Sequence, residues 1–120
     1  MNILIADENI DYHTHYASLL DRKHHIFFVS DGSQAIQILL KNKIDLLVTD
    51  YRMPKLNGLQ ILEYLSINKI LISTALLISD SLPSNFELTK LKKDLNFQFN
   101  FFIAEKDDDG FDQIKLLQSK

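Results

Sequence analysis

Five times along this chain a short apolar run gives way to a stretch of helical period, and several runs end in an acid, a hydroxyl or a lysine. Ile3-Leu4-Ile5-Ala6 is followed by Asp7-Glu8. Ile44-Asp45-Leu46-Leu47-Val48-Thr49 is followed by Asp50. The central runs are continuously apolar, as strands buried on both faces must be. Between them, apolar residues recur at helical spacing: Ile10, His13, Ala17 and Leu20, then Ala35, Ile36, Leu39 and Leu40, then Leu59, Leu62 and Leu65.

The elements follow in order. The first strand covers 3–6, and a helix runs from about 10 to 22. The second strand is His25–Val29, and Asp31-Gly32-Ser33 is a turn that caps the next helix. The third strand is 45–49, and the fourth is Thr74–Ser79. Ser84 and Glu87 have the spacing of a capping box. Phe97, Phe99 and Phe101 alternate with polar residues, so 97–104 reads as a half-exposed edge strand. Ile114 and Leu117 mark a short last helix, which suits a chain that stops early or one cut from a longer protein. Five β–α units in series specify an α/β fold: a doubly wound parallel sheet with right-handed crossovers and helices on both faces. In such sheets the site lies beyond the carboxyl ends of the strands, where strand order reverses. Asp7, Glu8, Asp50, Ser79 and Lys106 all fall at expected strand ends. Carboxylates brought together there repel one another, which a divalent cation or a proton-transfer role compensates.

Composition narrows the function classes. The chain has 120 residues, enough for one domain with its own core, spanning 1–120. It has no cysteine, so disulfides and thiolate chemistry are excluded. Its net charge is −3, without the clustered basic residues of a nucleic-acid or anionic-membrane surface. No apolar run approaches the ~20 residues of a membrane span, and the N-terminus lacks a signal-peptide pattern. The expectation is a cytoplasmic protein with no membrane or direct nucleic-acid partner. Asp107-Asp108-Asp109 reads as a solvated acidic turn. The histidines do not read as a second metal site, because His13 and His15 are two apart on a helix.

The segments Ile3-Leu4-Ile5-Ala6-Asp7-Glu8-Asn9, Asp31-Gly32-Ser33-Gln34-Ala35 and Asp50-Tyr51-Arg52-Met53-Pro54 with Gly58 together resemble the receiver domain of two-component response regulators. The resemblance is strongest over residues 3–65. It implies a five-stranded, flavodoxin-like sheet of order 2-1-3-4-5. It implies that Asp50 accepts a phosphoryl group from a phosphohistidine of a sensor histidine kinase or phosphotransfer protein. It further implies Mg²⁺ held by Glu8, Asp50 and the main-chain carbonyl of Arg52, with Asp7 reaching it through water. Ser79 would bond the phosphoryl group and Lys106 would pair with it. The chain would then be no enzyme beyond Mg²⁺-dependent self-phosphorylation and dephosphorylation. Its partners would include an output domain or target protein, and a homodimer through helix 4, strand 5 and helix 5 fits the same pattern.

Four positions depart from that family. Glu8 stands where Asp is usual. Asp80 follows Ser79 and adds charge at the mouth of the site. Asp107 follows Lys106 where the family carries proline after a cis bond. Such a bond before a non-proline residue costs ~2.5–4 kcal/mol, so a trans bond is expected, with a re-routed loop and a reduced reach for Lys106. Ile103 stands where a switching aromatic is usual, beside Phe101 and Phe102. These departures define a rival reading, a phosphorylation-independent interaction module. A flavin-binding protein of the same architecture is disfavoured, because Asp7-Glu8-Asn9 would repel a flavin phosphate. A haloacid-dehalogenase-like phosphatase needs a second Asp where Arg52 stands.

Overall fold

The computed structural model describes residues 1–81, 84–94 and 98–119. Strands and helices alternate: β1 (Asn2–Ala6), α1 (Ile10–Leu19), β2 (His25–Val29), α2 (Gly32–Lys41), β3 (Leu46–Thr49), α3 (Gly58–Ile67), β4 (Thr74–Ser79), α4 (Asn85–Asp94), β5 (Asn100–Glu105) and α5 (Asp108–Leu117). The strands form one parallel sheet of order β2-β1-β3-β4-β5, as expected. Strand order therefore reverses at β1, with β2 on one side and β3 on the other.

Alternation along the strands divides the core in two. Leu4, Ala6, Leu47 and Ala75 pack with Ala35, Ile36 and Leu39 of α2 and Ile61, Leu62 and Leu65 of α3. Ile3, Ile5, Leu46, Val48, Leu76 and Ile78 pack on the other face with Tyr16 of α1 and with Ile114 and Leu117 of α5. Nearly all residues of the three inner strands, β1, β3 and β4, are sealed from solvent on both sides, which accounts for their apolar sequence.

Several expectations need correction. α1 ends at Leu19 rather than near residue 22, and of the expected buried face of Ile10, His13, Ala17 and Leu20, only Leu20 is buried. Ile10 is 69% exposed and Ala17 is exposed, whereas Tyr12, Tyr16 and Leu19 pack into the core with Leu20 just beyond the helix. The stripe is carried by tyrosines, whose rings bury while their hydroxyls need partners. Leu40 of α2 faces solvent, and Ile38 packs in its stead. The third strand starts at Leu46, not 45. β5 is the edge strand, but it starts at Asn100; of the expected alternating phenylalanines, Phe99 and Phe101 pack against the core on the face that α2 and α3 cover, and Phe97 lies outside the described residues. α5 is as long as every other helix, at 10 residues. Asp107-Asp108-Asp109 is not a mere solvated turn: Asp107 caps α5 through the Gly110 amide, and the other two fill its first turn, where the helix dipole favours acids. The Ser84–Glu87 capping box is present, each side chain accepting from the other's amide.

Candidate functional site

The sheet itself places the site residues. The amide of Asp7 donates to the Val29 carbonyl of β2 at 3.1 Å, and that of Asp50 to the Ala6 carbonyl of β1 at 2.8 Å. The Lys106 amide donates to the Ser79 carbonyl of β4 at 3.2 Å. Each functional residue thus continues the ladder by one rung beyond its strand, so its backbone is as fixed as the sheet. Two glycines permit the close approaches this requires. A Cβ on Gly58 would collide with the Asp50 carbonyl, and one on Gly110 with the Glu105 carbonyl. The spacing from Asp50 to Gly58 is therefore a packing requirement as well as a signature: the start of α3 lies directly against the backbone of Asp50.

At the strand ends, three charged side chains meet. Lys106 Nζ lies 2.7 Å from Asp7 Oδ2 and 3.2 Å from Asp50 Oδ2. Asp7 is wholly buried and Asp50 nearly so, at 8% exposure. The remaining oxygens are also satisfied. Asp7 Oδ1 accepts from the Asn9 amide, and Asp50 Oδ1 from the Tyr51 amide. The Tyr16 hydroxyl donates to Asp7 Oδ2 at 3.1 Å. The Lys106 ammonium also lies 3.9 Å from the centre of the Tyr12 ring, within cation–π range. Burial alone would lower the pKa of Lys106. The hydrogen bond and charge of Asp7, followed by those of Asp50, outweigh it and raise the pKa. Burial, reinforced by the charge and hydrogen bond of Asp7, pushes the Tyr16 phenol far up, so it stays protonated.

The expected repelling cluster of three acids is therefore corrected. Lys106 stands between Asp7 and Asp50, and Glu8 is exposed outside the buried group. Among the described residues, no three Asp, Glu or His side chains are gathered as metal ligands. Asp50 follows β3, and the exposed Glu8 comes one residue after Asp7 at the end of β1; carboxylate oxygens are the ligands a hard cation takes. Ser79 is buried at the end of β4, and its Oγ accepts from the Ser81 amide. Asp80 is exposed beyond it. The Arg52 guanidinium lies over the Tyr51 ring.

The expected loss of reach by Lys106 does not occur. Every described peptide bond is trans, that before Asp107 included, yet the ammonium reaches both carboxylates. Asp107 turns into the α5 cap instead of displacing the lysine. Three of the four histidines have other partners: His13 bonds the Asp7 carbonyl and stacks on Phe28, His15 packs edge-on to Phe111, and His25 stacks on Phe27. The signal that sequence reasoning missed is the pair Tyr12 and Tyr16. Their spacing of four puts them on one helix face, five and nine residues after Asp7.

A five-stranded parallel sheet of this order, with acids and a lysine at its switch point, defines a doubly wound α/β protein whose site is built on strand ends. Residues 3–82 match the profile described as the response regulator receiver domain, and the chain belongs to that family. Solved structures with the same fold include a receiver domain protein (CheY-like) from Methanospirillum hungatei JF-1, with 12% identity and a TM-score of 0.77, covering 98% of this chain and 90% of that one. The receiver domain of the Francisella response regulator 1452 shares 20% identity at a TM-score of 0.73, covering 98% and 96%. The phosphorylated cyanobacterial phytochrome response regulator RcpA shares 19% at 0.75, covering 98% and 91%. No curated protein matches the chain. Among the described residues, no helix is long and apolar enough to cross a membrane.

Proposed function

We propose that this receiver domain is a phosphoacceptor switch in which Asp50 takes a phosphoryl group from a phosphohistidine of a sensor kinase or phosphotransfer protein. One observation carries the reading: of the two carboxylates on Lys106, only Asp50 retains access to solvent, while Asp7 is sealed and accepts from Tyr16, Asn9 and Lys106. A nucleophile must be reachable, and a carboxylate held by fixed donors is suited to orient the charge around it.

In the proposed step an Asp50 oxygen attacks phosphorus, the bond from phosphorus to the donor nitrogen breaks, and the electron pair stays on the departing imidazole. An acyl phosphate results. Charge accumulates on the phosphoryl oxygens, and Lys106 is within reach to neutralise part of it. Ser79 is the hydroxyl at the adjacent strand end. Asp50, Glu8, the Arg52 carbonyl and, through water, Asp7 are the groups that would hold Mg²⁺, which supplies further neutralisation of the transferring group. The added charge on Asp50 would then act on the neighbouring α4–β5–α5 surface, where an output domain or target protein is read. The rival reading, an interaction module that works without phosphorylation, rests on a site weakened by Asp80 and Asp107. The short contacts of Lys106 to Asp7 and Asp50 favour the phosphoacceptor.

The test is incubation with acetyl phosphate and Mg²⁺, followed by intact mass. A gain of one phosphoryl group that a chelator abolishes is expected. No gain under saturating donor would contradict the reading.

A further inference from the structure

We propose that Tyr12 and Tyr16 of α1 are positioning residues for the Asp50 site: Tyr12 holds the Lys106 ammonium and Tyr16 stabilises Asp7 when that ammonium moves to a phosphoryl group. The proposal rests on the reading of Asp50 as the phosphoacceptor. A lysine ammonium has three N–H donors. Here it has three neighbours to receive them: Asp7 Oδ2 at 2.7 Å, Asp50 Oδ2 at 3.2 Å and the face of Tyr12 at 3.9 Å. The lysine side chain is only 3% exposed, so water cannot replace any of these freely.

The Tyr16 hydroxyl donates to the same Asp7 oxygen that Lys106 contacts. When Lys106 turns to a phosphoryl oxygen on Asp50, Asp7 would be left buried without its cation, a state that is costly to create. The Tyr16 hydroxyl and the Asn9 amide remain as its donors and lower that cost. The Tyr12 face, meanwhile, attracts the ammonium without fixing its direction, so Lys106 can swing between carboxylate and phosphoryl group and keep this contact. Both rings are set by packing. They stack on one another at 5.9 Å, and Phe111 of α5 lies against each, at 6.4 Å from Tyr12 and 6.2 Å from Tyr16.

The experiment compares Tyr12→Leu, Tyr12→Phe and Tyr16→Phe with the parent chain by two readouts. One is the rate of labelling by acetyl phosphate with Mg²⁺. The other needs no phosphorylation: the NMR shift of the Lys106 Cε protons, which the Tyr12 ring current moves upfield. Tyr12→Leu should lose the shift and label roughly 2- to 30-fold more slowly. Tyr12→Phe keeps the aromatic face and should restore both. Tyr16→Phe should keep the shift yet label roughly 3- to 10-fold more slowly. A parent chain without the upfield shift, or Tyr12→Leu and Tyr16→Phe variants that both label at the parent rate, would overturn the proposal. Should Tyr12→Leu not fold, Tyr16→Phe, which removes one oxygen atom, decides it by rate alone. A parent that never labels, but loses the lysine shift only in Tyr12→Leu, overturns the phosphoacceptor reading and supports Tyr12 as the holder of Lys106.

Discussion

Lys106 is held more closely by Asp7 than by Asp50: its ammonium lies 2.7 Å from the first and 3.2 Å from the second, and both contacts use the Oδ2 atom. The lysine is thus anchored on the sealed carboxylate and only shared with the accessible one. Charge arriving at Asp50 would therefore have to draw Lys106 away from Asp7, whose remaining donors are the Tyr16 hydroxyl and the Asn9 amide.

Removing that cation should be expensive. Lys106→Met leaves two buried carboxylates facing each other, and breaking a buried pair in this way costs about 3–5 kcal/mol. Urea unfolding in the presence of a chelator should show a loss of that size. Mg²⁺ should restore part of it, because a divalent cation at Asp50 and Glu8 supplies the missing charge. A variant as stable as the parent in chelator would mean that Lys106 does not carry the charge balance of the site.

Asp107 is a helix cap and not a displaced proline. Its φ of −141° is far from the value of about −65° that proline requires. Its amide donates to the Glu105 carbonyl at 2.9 Å and its side chain accepts from Gly110 at 2.9 Å. Asp107→Ala should cost about 1 kcal/mol through loss of the cap. Asp107→Pro should cost more, about 3 kcal/mol, and slow labelling of Asp50, since both bonds and the backbone angle are lost. Equal stability of the two variants in urea would contradict this account.

The fold was legible because burial on both faces leaves unbroken apolar runs in β1, β3 and β4, and because Asp7, Asp50, Ser79 and Lys106 follow or end strands. The Ser84–Glu87 box was legible for a similar reason: capping is local, and spacing carries it. What could not be read was the buried face of α1. Tyrosine counts as polar or apolar according to whether its hydroxyl finds a partner. The partner of Tyr16, Asp7, is fixed only once β1 and α1 are packed. Apolar periodicity alone therefore points to Ile10 and Ala17 and not to the observed stripe of Tyr12, Tyr16 and Leu19. The place of Lys106 at a strand end is legible, but its reach is not, because a loop without the proline reads as re-routed, whereas the backbone ladder to Ser79 sets the lysine's origin whatever follows it.

Tyr16 also makes stability depend on alkaline pH. Burial, then Asp7, raises its folded pKa above the unfolded value of about 10. The unfolded chain therefore releases this proton first, and the contribution, intact below pH about 10, is lost as pH rises beyond it. Lys106, also raised, acts in the same direction. Urea midpoints at neutral and strongly alkaline pH should fall less for Tyr16→Phe than for the parent, because only the phenol is removed. Parallel losses in the two proteins would show that Tyr16 ionises without penalty.

Asp80 is exposed directly after Ser79. Its carboxylate should repel an anionic donor approaching Asp50, screened by water but not abolished. Asp80→Ala is expected to label roughly 2- to 5-fold faster with acetyl phosphate at low salt, with the advantage shrinking as salt is added. An unchanged rate at low salt would place this charge outside the donor's path.

The central claim is that Asp50, and not another acid of the site, carries the phosphoryl group. Its most direct measurement is peptide mapping of the chain after transfer from a phosphorylated histidine phosphotransfer protein in Mg²⁺, beside the Asp50→Asn variant. The account predicts one acyl phosphate, on the peptide bearing Asp50, and none in the variant. Label on Asp7, Glu8 or Asp80, or label that persists in Asp50→Asn, would contradict it.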